Sequence, residues 1–236
     1  MAHRIALVHA VRVAIQPVEE AFARHWPDAA RMNLLDDSLS RDRSRDGRLT
    51  PEMVRRFAVL ADYAVSTGAH GILYTCSAFG PAIDAAGAGK RIPVLKPNDA
   101  MFRDALERGR RFGLLATFAP SVPSMEEEFR DLARAAGREV ELRSVCVPEA
   151  MSALDAGDCA THDRLVAEAA PQLAGCDAVL LAQFSTARAH TAVSAILGCP
   201  VLTSPDSAVL WLRRAVTRGQ DARARLQEGE HATGPA

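Results

Sequence analysis

The chain of 236 residues repeats itself at one fixed distance. "RIALVHA" from Arg4 and "RFGLLAT" from Arg111 lie 111 − 4 = 107 positions apart, and "GAHGILYTCSAF" from Gly68 and "GCDAVLLAQFST" from Gly175 lie 107 apart again. "EEAF" ends at Phe22 and "EEEF" at Phe129, while "PVLKPNDA" starts at Pro93 and "PVLTSPDS" at Pro200, with the same offset. One offset recurring in four separate places marks a chain built from two copies of one unit. The stretches 31–60 and 138–165 match poorly and are expected to carry compensating insertions.

Each copy alternates short apolar runs with longer helical patterns. Strands are expected at 5–10, 31–36, 71–76 and 92–96, and again at 112–117, 140–147, 177–183 and 200–204. Between them lie helical stretches such as "PEMVRRFAVLADYAVSTG", which Thr50 and Pro51 start, and "THDRLVAEAAPQLAG", which closes on glycine. Nearly continuous apolar strands, each followed by a helix, imply parallel sheets covered on both faces. The expected fold is therefore α/β, with two pseudo-symmetric duplicated halves and a cleft between them. Residues 1–96 with 207–236 are assigned to the first half, and residues 97–206 to the second.

In open α/β sheets, ligands bind beyond the carboxyl ends of the strands. Facing strand ends would surround one cleft with four turns, His9 to Arg12, Cys76 to Phe79, Thr117 to Ser121 and Gln183 to Thr186. The duplication sets Cys76 opposite Gln183, since 183 − 76 = 107.

Composition removes several classes of function. A formal net charge of −1 supplies no basic field for nucleic acid or an anionic membrane surface. No run approaches the roughly 20 apolar residues that span a bilayer. "MAHRIALVHAVRVAI" lacks the long apolar region and cleavage site of a signal peptide. The expectation is a soluble cytoplasmic protein. Five cysteines, at 76, 146, 159, 176 and 199, are an odd number with no CxxC and no Cys/His pair at metal-ligand spacing, which argues against a disulfide framework and a zinc site. The last four read as structural, small buried hydrophobes. Neither GxGxxG nor GxxxxGK[ST] occurs, so the parallel-sheet pattern gives no reason to expect NAD or ATP.

Cys76 stands where a strand gives way to a helix beginning Ser77, Ala78 and Phe79. Free backbone N–H groups and the helix dipole favour an anion at such a turn, lowering a thiol pKa or holding a carboxylate. The same small residues also suit a tight buried turn.

Taken together, "GILYTCSAFG", "RFGLLATFAPS", "DAVLLAQFSTARA" and the duplicated halves resemble the aspartate/glutamate/hydantoin racemase superfamily, which includes arylmalonate decarboxylases and maleate isomerases. The resemblance covers nearly the whole chain. It implies an enzyme with no metal or organic cofactor, using cysteines in the equivalent turns of the two halves to move protons at a carbon beside a carboxylate or carbonyl. By this resemblance Cys76 is the acid/base. Such chemistry needs a base matched to the carbon acid and donors for the developing enolate oxygen.

The chain departs from that pattern where the second cysteine is expected, because "LLAQ" puts Gln183 in the thiol's place. An amide is of little use as a proton donor or acceptor near neutral pH, so symmetric two-base racemisation is not supported. His9, on the turn after the first strand, is the candidate substitute, or else a capping or core histidine. Ser77, Ala78, Thr117, Ser121, Gln183, Phe184, Ser185 and Thr186 are the candidate substrate contacts, suited to a small carboxylate or imide. The amino-acid contacts of the aspartate and glutamate enzymes are not evident. Racemase or isomerase is the class implied, with a one-cysteine decarboxylase or lyase and a non-catalytic binding protein as alternatives. A homodimer is possible, with no residue pointing to its interface. The polar segment from Asp36 to Leu49, with four arginines between 41 and 48, reads as a solvated loop or as an arm folding over the cleft. The tail from Glu228 is expected to fray.

Overall fold

The computed structural model describes residues 2–232, with side chains as far as residue 219. The first half runs β1 (Arg4–His9), α1 (Ile15–His25), β2 (Ala30–Leu35), α2 (Ser38–Asp46), α3 (Pro51–Ser66), β3 (Gly71–Tyr74), α4 (Gly80–Gly87) and β4 (Val94–Leu95). There follow α5 (Asp99–Leu106), β5 (Arg111–Ala116), α6 (Val122–Ala135), β6 (Glu141–Cys146), α7 (Pro148–Asp155), α8 (Cys159–Ala169), β7 (Ala178–Leu181), α9 (His190–Ser194), β8 (Val201–Thr203) and α10 (Ser204–Ala232). Two four-stranded parallel sheets result, in the orders β2-β1-β3-β4 and β6-β5-β7-β8.

The duplication holds to the residue at the centre of each sheet. Adding 107 to the bounds of β1 gives those of β5, and adding 107 to those of β3 gives those of β7. The edge strands β2 and β6 are instead 141 − 30 = 111 residues apart. Four extra residues thus enter before β6 and are given back before β7, which is why the stretches between matched poorly in sequence.

Ile5, Ala6, Leu7 and Val8 of β1 are all buried, because apolar layers cover both faces of the sheet. On one face Ile5 and Leu7 pack with Val18, Ala21 and Phe22 of α1 and with Ala208, Val209, Leu212 and Val216 of α10. On the other face Met53, Phe57, Ala61 and Ala64, one stripe of α3, close over Ala6, Val8, Ile72 and Tyr74. Each fully buried side chain of Phe or Leu size contributes about 1.5–3 kcal/mol. Helix α3 starts as its sequence requires. Pro51 takes the first turn and the Thr50 hydroxyl accepts the Met53 N–H at 3.3 Å, a cap worth about 1 kcal/mol.

Three expectations need correction. The segment 36–49 is not a solvated loop, for residues 38–46 form α2, closed by Gly47 in the left-handed conformation at φ 64°. Helix α10 continues through Glu228 to Ala232 instead of fraying there, and residues 233–236 lie outside the described residues. The strand expected over 92–96 keeps only Val94 and Leu95, pairing as an edge with Ile72 and Leu73.

Candidate functional site

A cavity of about 670 Å³ opens where the carboxyl ends of the two sheets face each other. The first half lines it with Val11, Arg12, Thr75, Cys76, Ser77 and Ala78, and the second with Phe118, Gln183, Phe184 and Ser185. Two short helices complete the wall: Ser40, Arg41 and Ser44 from α2, and Met151, Leu154 and Asp155 from α7. These are matching elements. At the β2-to-β6 offset of 111, Ser40 corresponds to Met151 and Ser44 to Asp155. The polar segment 36–49 therefore supplies part of the cavity wall.

Strand β3 ends at Tyr74, two residues earlier than expected. The Thr75 N–H continues the ladder to Val8 O at 3.0 Å, and Cys76 stands in extended backbone (φ −117°, ψ 118°) before a single 3-10 turn, Ser77–Phe79. The thiol is half-buried. Burial pushes its pKa up, and the Ala78 N–H and the Ser40 hydroxyl pull it back only in part. The lowered pKa expected from the helix start alone is therefore not what this turn produces. Desolvation outweighs two donors, and the resting form is the thiol.

His9 is not on a turn and does not reach the cavity wall. It is the last residue of β1, completely buried. Its Nε2 lies 2.8 Å from Asn33 Oδ1, and its Nδ1 lies 2.9 Å from Thr75 Oγ1. Asn33 Oδ1 can only accept, so Nε2 carries the proton. Burial holds His9 below its ordinary pKa, and in the neutral ring Nδ1 accepts the Thr75 hydroxyl. Asn33 is oriented in turn by Glu19, whose Oε1 accepts its Nδ2–H at 2.8 Å, while Arg31 Nε donates to Glu19 Oε2 at 2.7 Å. Thr75 does line the cavity. A hydrogen-bonded chain thus runs from the cavity through Thr75, His9 and Asn33 to Glu19. Thr75 and Asn33 were missed in the sequence, because Thr75 reads there as an ordinary strand residue before Cys76, Asn33 lies in no motif, and only the parallel register brings 9, 33 and 75 together.

Gln183 faces Cys76 across the cavity with most of its amide engaged. Its Oε1 accepts the Thr117 N–H at 2.7 Å and the Thr117 hydroxyl at 3.0 Å, and its Nε2 donates to Ser121 Oγ at 3.2 Å. One amide N–H is left over. Thr117 and Ser121, expected as substrate contacts, instead stand behind Gln183 and hold it. Thr186 is likewise drawn away, its hydroxyl donating to Gln183 O at 2.8 Å. Ser77, Ala78, Phe184 and Ser185 do reach the wall.

At the mouth, Asp37 bridges two arginines, Arg12 at 3.0 Å and Arg41 at 3.3 Å. Helix α2 is held in place from outside by Arg56 of α3, which reaches Asp42 at 2.7 Å and also binds Asp36 and Ser38. Among the described residues no group of three or more His, Cys, Asp or Glu side chains is placed to hold a metal ion, and no helix is long and apolar enough to cross a membrane.

The family model described as Asp/Glu/Hydantoin racemase matches residues 14–170. No curated protein sequence matches the chain. Among solved structures, a glutamate racemase of Bacillus anthracis superposes with a TM-score of 0.71 at 16% identity, over 92% of this chain and 82% of that one. An allantoin racemase of Klebsiella pneumoniae gives 0.68 at 16% identity, over 92% and 89%. An aspartate racemase of Picrophilus torridus gives 0.62 at 16% identity, over 89% and 93%. At such identities these structures share the fold.

Proposed function

The chain belongs to the Asp/Glu/Hydantoin racemase family, and on that premise we propose a cofactor-independent enzyme of racemase/isomerase type that moves a proton at a carbon beside a carboxylate or carbonyl. Cys76 is its acid/base. The observation that carries this reading is the placement of one thiol in a cavity walled by corresponding turns of both halves.

In this mechanism the minor thiolate form of Cys76, its proton released to water in the open cavity, takes the carbon-bound proton and becomes a thiol, while charge grows on the neighbouring substrate oxygen. The free N–H of Gln183, the Ser185 hydroxyl and the backbone N–H groups of Ser77 and Ala78 stabilise that oxygen as an enolate. His9 touches no substrate. Neutral and kept in one tautomer by Asn33 and Glu19, it acts by orienting the Thr75 hydroxyl at the cavity wall. Arg12 and Arg41 favour an anionic or imide-like substrate at the mouth, and Asp37 keeps them from carrying a large uncompensated charge there.

A one-sided variant of this chemistry, decarboxylation or elimination with protonation from one face, is favoured by a single observation: the wall opposite Cys76 offers an amide where inversion needs an acid. The experiment is hydrogen exchange in deuterated water, with both enantiomers of 5-substituted hydantoins and small 2-substituted carboxylates. Exchange of the α-hydrogen that disappears in Cys76→Ala supports the enzyme reading, and interconversion of the enantiomers separates racemase from the one-sided variant. A wild-type protein that exchanges none of them is a binding protein, and the reading is lost.

A further inference from the structure

A hydroxyl on the wall of the thiol's cavity comes from α2, whose polar composition suits a loop or an arm over the cleft. Ser40 lies on α2 and lines the same cavity as Cys76. Its position is enforced twice. Leu39, beside it, is completely buried in the first-half core, and the Arg56 fork ties Asp36, Ser38 and Asp42 to α3 on either side of it. The duplication gives an independent comparison. At the offset of 111, Leu39 corresponds to Ala150, also completely buried, and Ser40 corresponds to Met151, also on the cavity wall. The half that keeps the thiol has a hydroxyl on its short helix, and the half that has an amide carries a thioether there.

We propose that Ser40 is a positioning residue of the proton-transfer site, donating its hydroxyl to the Cys76 sulfur so that the thiolate can form inside a cavity that otherwise disfavours it. This rests on Cys76 being the acid/base. Hydrogen bonds to a charged acceptor are the strong ones, so the Ser40 bond strengthens when the sulfur loses its proton and shifts the equilibrium toward thiolate. Helix α2 thereby becomes part of the chemistry, and the Arg56 clamp keeps the hydroxyl in place. The other charged groups on the cavity wall are Arg12, Asp37, Arg41 and Asp155. The substitution of Ser40 leaves their charges unchanged.

The test is the pH dependence of Cys76 carbamidomethylation by iodoacetamide, read on the Cys76 peptide by mass spectrometry, in wild type, Ser40→Ala and Ser40→Thr. Ser40→Ala is expected to shift the apparent pKa of the reaction upward by about one unit, slowing modification about tenfold at a fixed pH below it, with the high-pH plateau unchanged. Ser40→Thr, which keeps the hydroxyl, restores the wild-type profile. A plateau that moves, with no shift in midpoint, reports altered access alone and overturns the proposal. So does a Ser40→Ala profile that superimposes on wild type. The underlying reading has its own readout, since hydantoin or small carboxylates bound in the cavity slow the wild-type modification. If Ser40→Ala has no effect while those ligands still protect Cys76, the proposal alone fails. If nothing protects Cys76, the reading fails and takes the proposal with it.

Discussion

Gln183 occupies the second-half position of Cys76, and its amide oxygen is already taken up by Thr117 at 2.7 and 3.0 Å. The first-half counterparts of Thr117 and Ser121 are Ala10 and Ala14, at 117 − 107 and 121 − 107. The second-half counterparts of His9 and Thr75 are Ala116 and Ala182, at 9 + 107 and 75 + 107. Each half thus surrounds its own turn with polar partners where the other has alanine. On the proposed reading, one wall serves proton transfer and the other presents fixed dipoles.

Restoring the symmetry is the direct check on this division. Gln183→Cys is expected to keep the fold, because a smaller side chain replaces a larger one beside Thr117 and Ser121. It leaves the Thr117 N–H and hydroxyl without their acceptor, at a cost of about 1–3 kcal/mol. With a thiol on each wall, α-hydrogen exchange from the second enantiomer should appear or rise in deuterated water. Exchange still confined to one enantiomer would mean that the opposite wall limits the reaction by something other than its missing acid.

Burial sets the direction of the His9 contribution. Its folded pKa lies below that of the unfolded chain, so the native state binds this proton less readily. The corresponding stability is present at neutral pH and above, and is lost as pH falls through the unfolded value of about 6.5. Urea denaturation at pH 7 and pH 5 should show a larger loss in wild type than in His9→Gln. His162, also buried and also held low by burial, remains in both proteins, so a reduced difference is expected and not a vanished one. An equal loss in the two would remove His9 from the acid response.

The Arg56 clamp gives a third prediction, local in kind. Arg56→Gln loses charge-assisted bonds to Asp36 and Asp42 and should destabilise the protein by about 1–2 kcal/mol. Because the bonds tie α2 to α3, amide hydrogen exchange should quicken first in residues 38–46. Uniform quickening across both halves would mean that the clamp supports the fold as a whole.

Most of this architecture was legible because it depends on period and spacing. Short apolar runs between helical patterns located all eight strands, and the 107-residue offset paired six of them, β2 and β6 being four residues further apart. What stayed hidden depends on the third dimension. Residues 38–46 carry serines, arginines and aspartates that favour a loop by composition, and they become helical through the buried Leu39 and the ion pairs to Arg56 that only the fold supplies. The chain from Thr75 through His9 to Asn33 depends on parallel register across three strands, which no local pattern encodes. The thiol pKa went the other way from expectation because a helix start is visible in sequence, whereas the degree of desolvation around Cys76 is set by both halves together.

Glu128 provides the last prediction, and it concerns the junction behind the cysteine turn. Its carboxyl group packs onto Gly80, at the start of α4, so closely that a Cβ on residue 80 would collide with it. Around it stand Lys96, Asp99, Asp84 and Asp131, and Lys96 lies 3.3 Å from Asp84 and 3.7 Å from Asp99. Burial is the main cause that pushes Glu128 up to about 7, with the neighbouring carboxylates adding to the rise and Lys96 opposing it. Since the folded pKa is above the unfolded one, this group's stabilisation is full below about pH 4.5 and is lost as pH rises toward 7. Glu128→Gln keeps the shape and removes the titration. It should raise stability at pH 8 by about 1–3 kcal/mol, and change it little at pH 5, where the wild-type group is already mostly neutral. Thermal unfolding followed at both pH values measures the difference directly. A variant equally stabilised at both would show that the carboxyl is unfavourable there in either protonation state, and one destabilised at pH 8 would show that the ionised group is held by Lys96 and the start of α4 more strongly than burial opposes it.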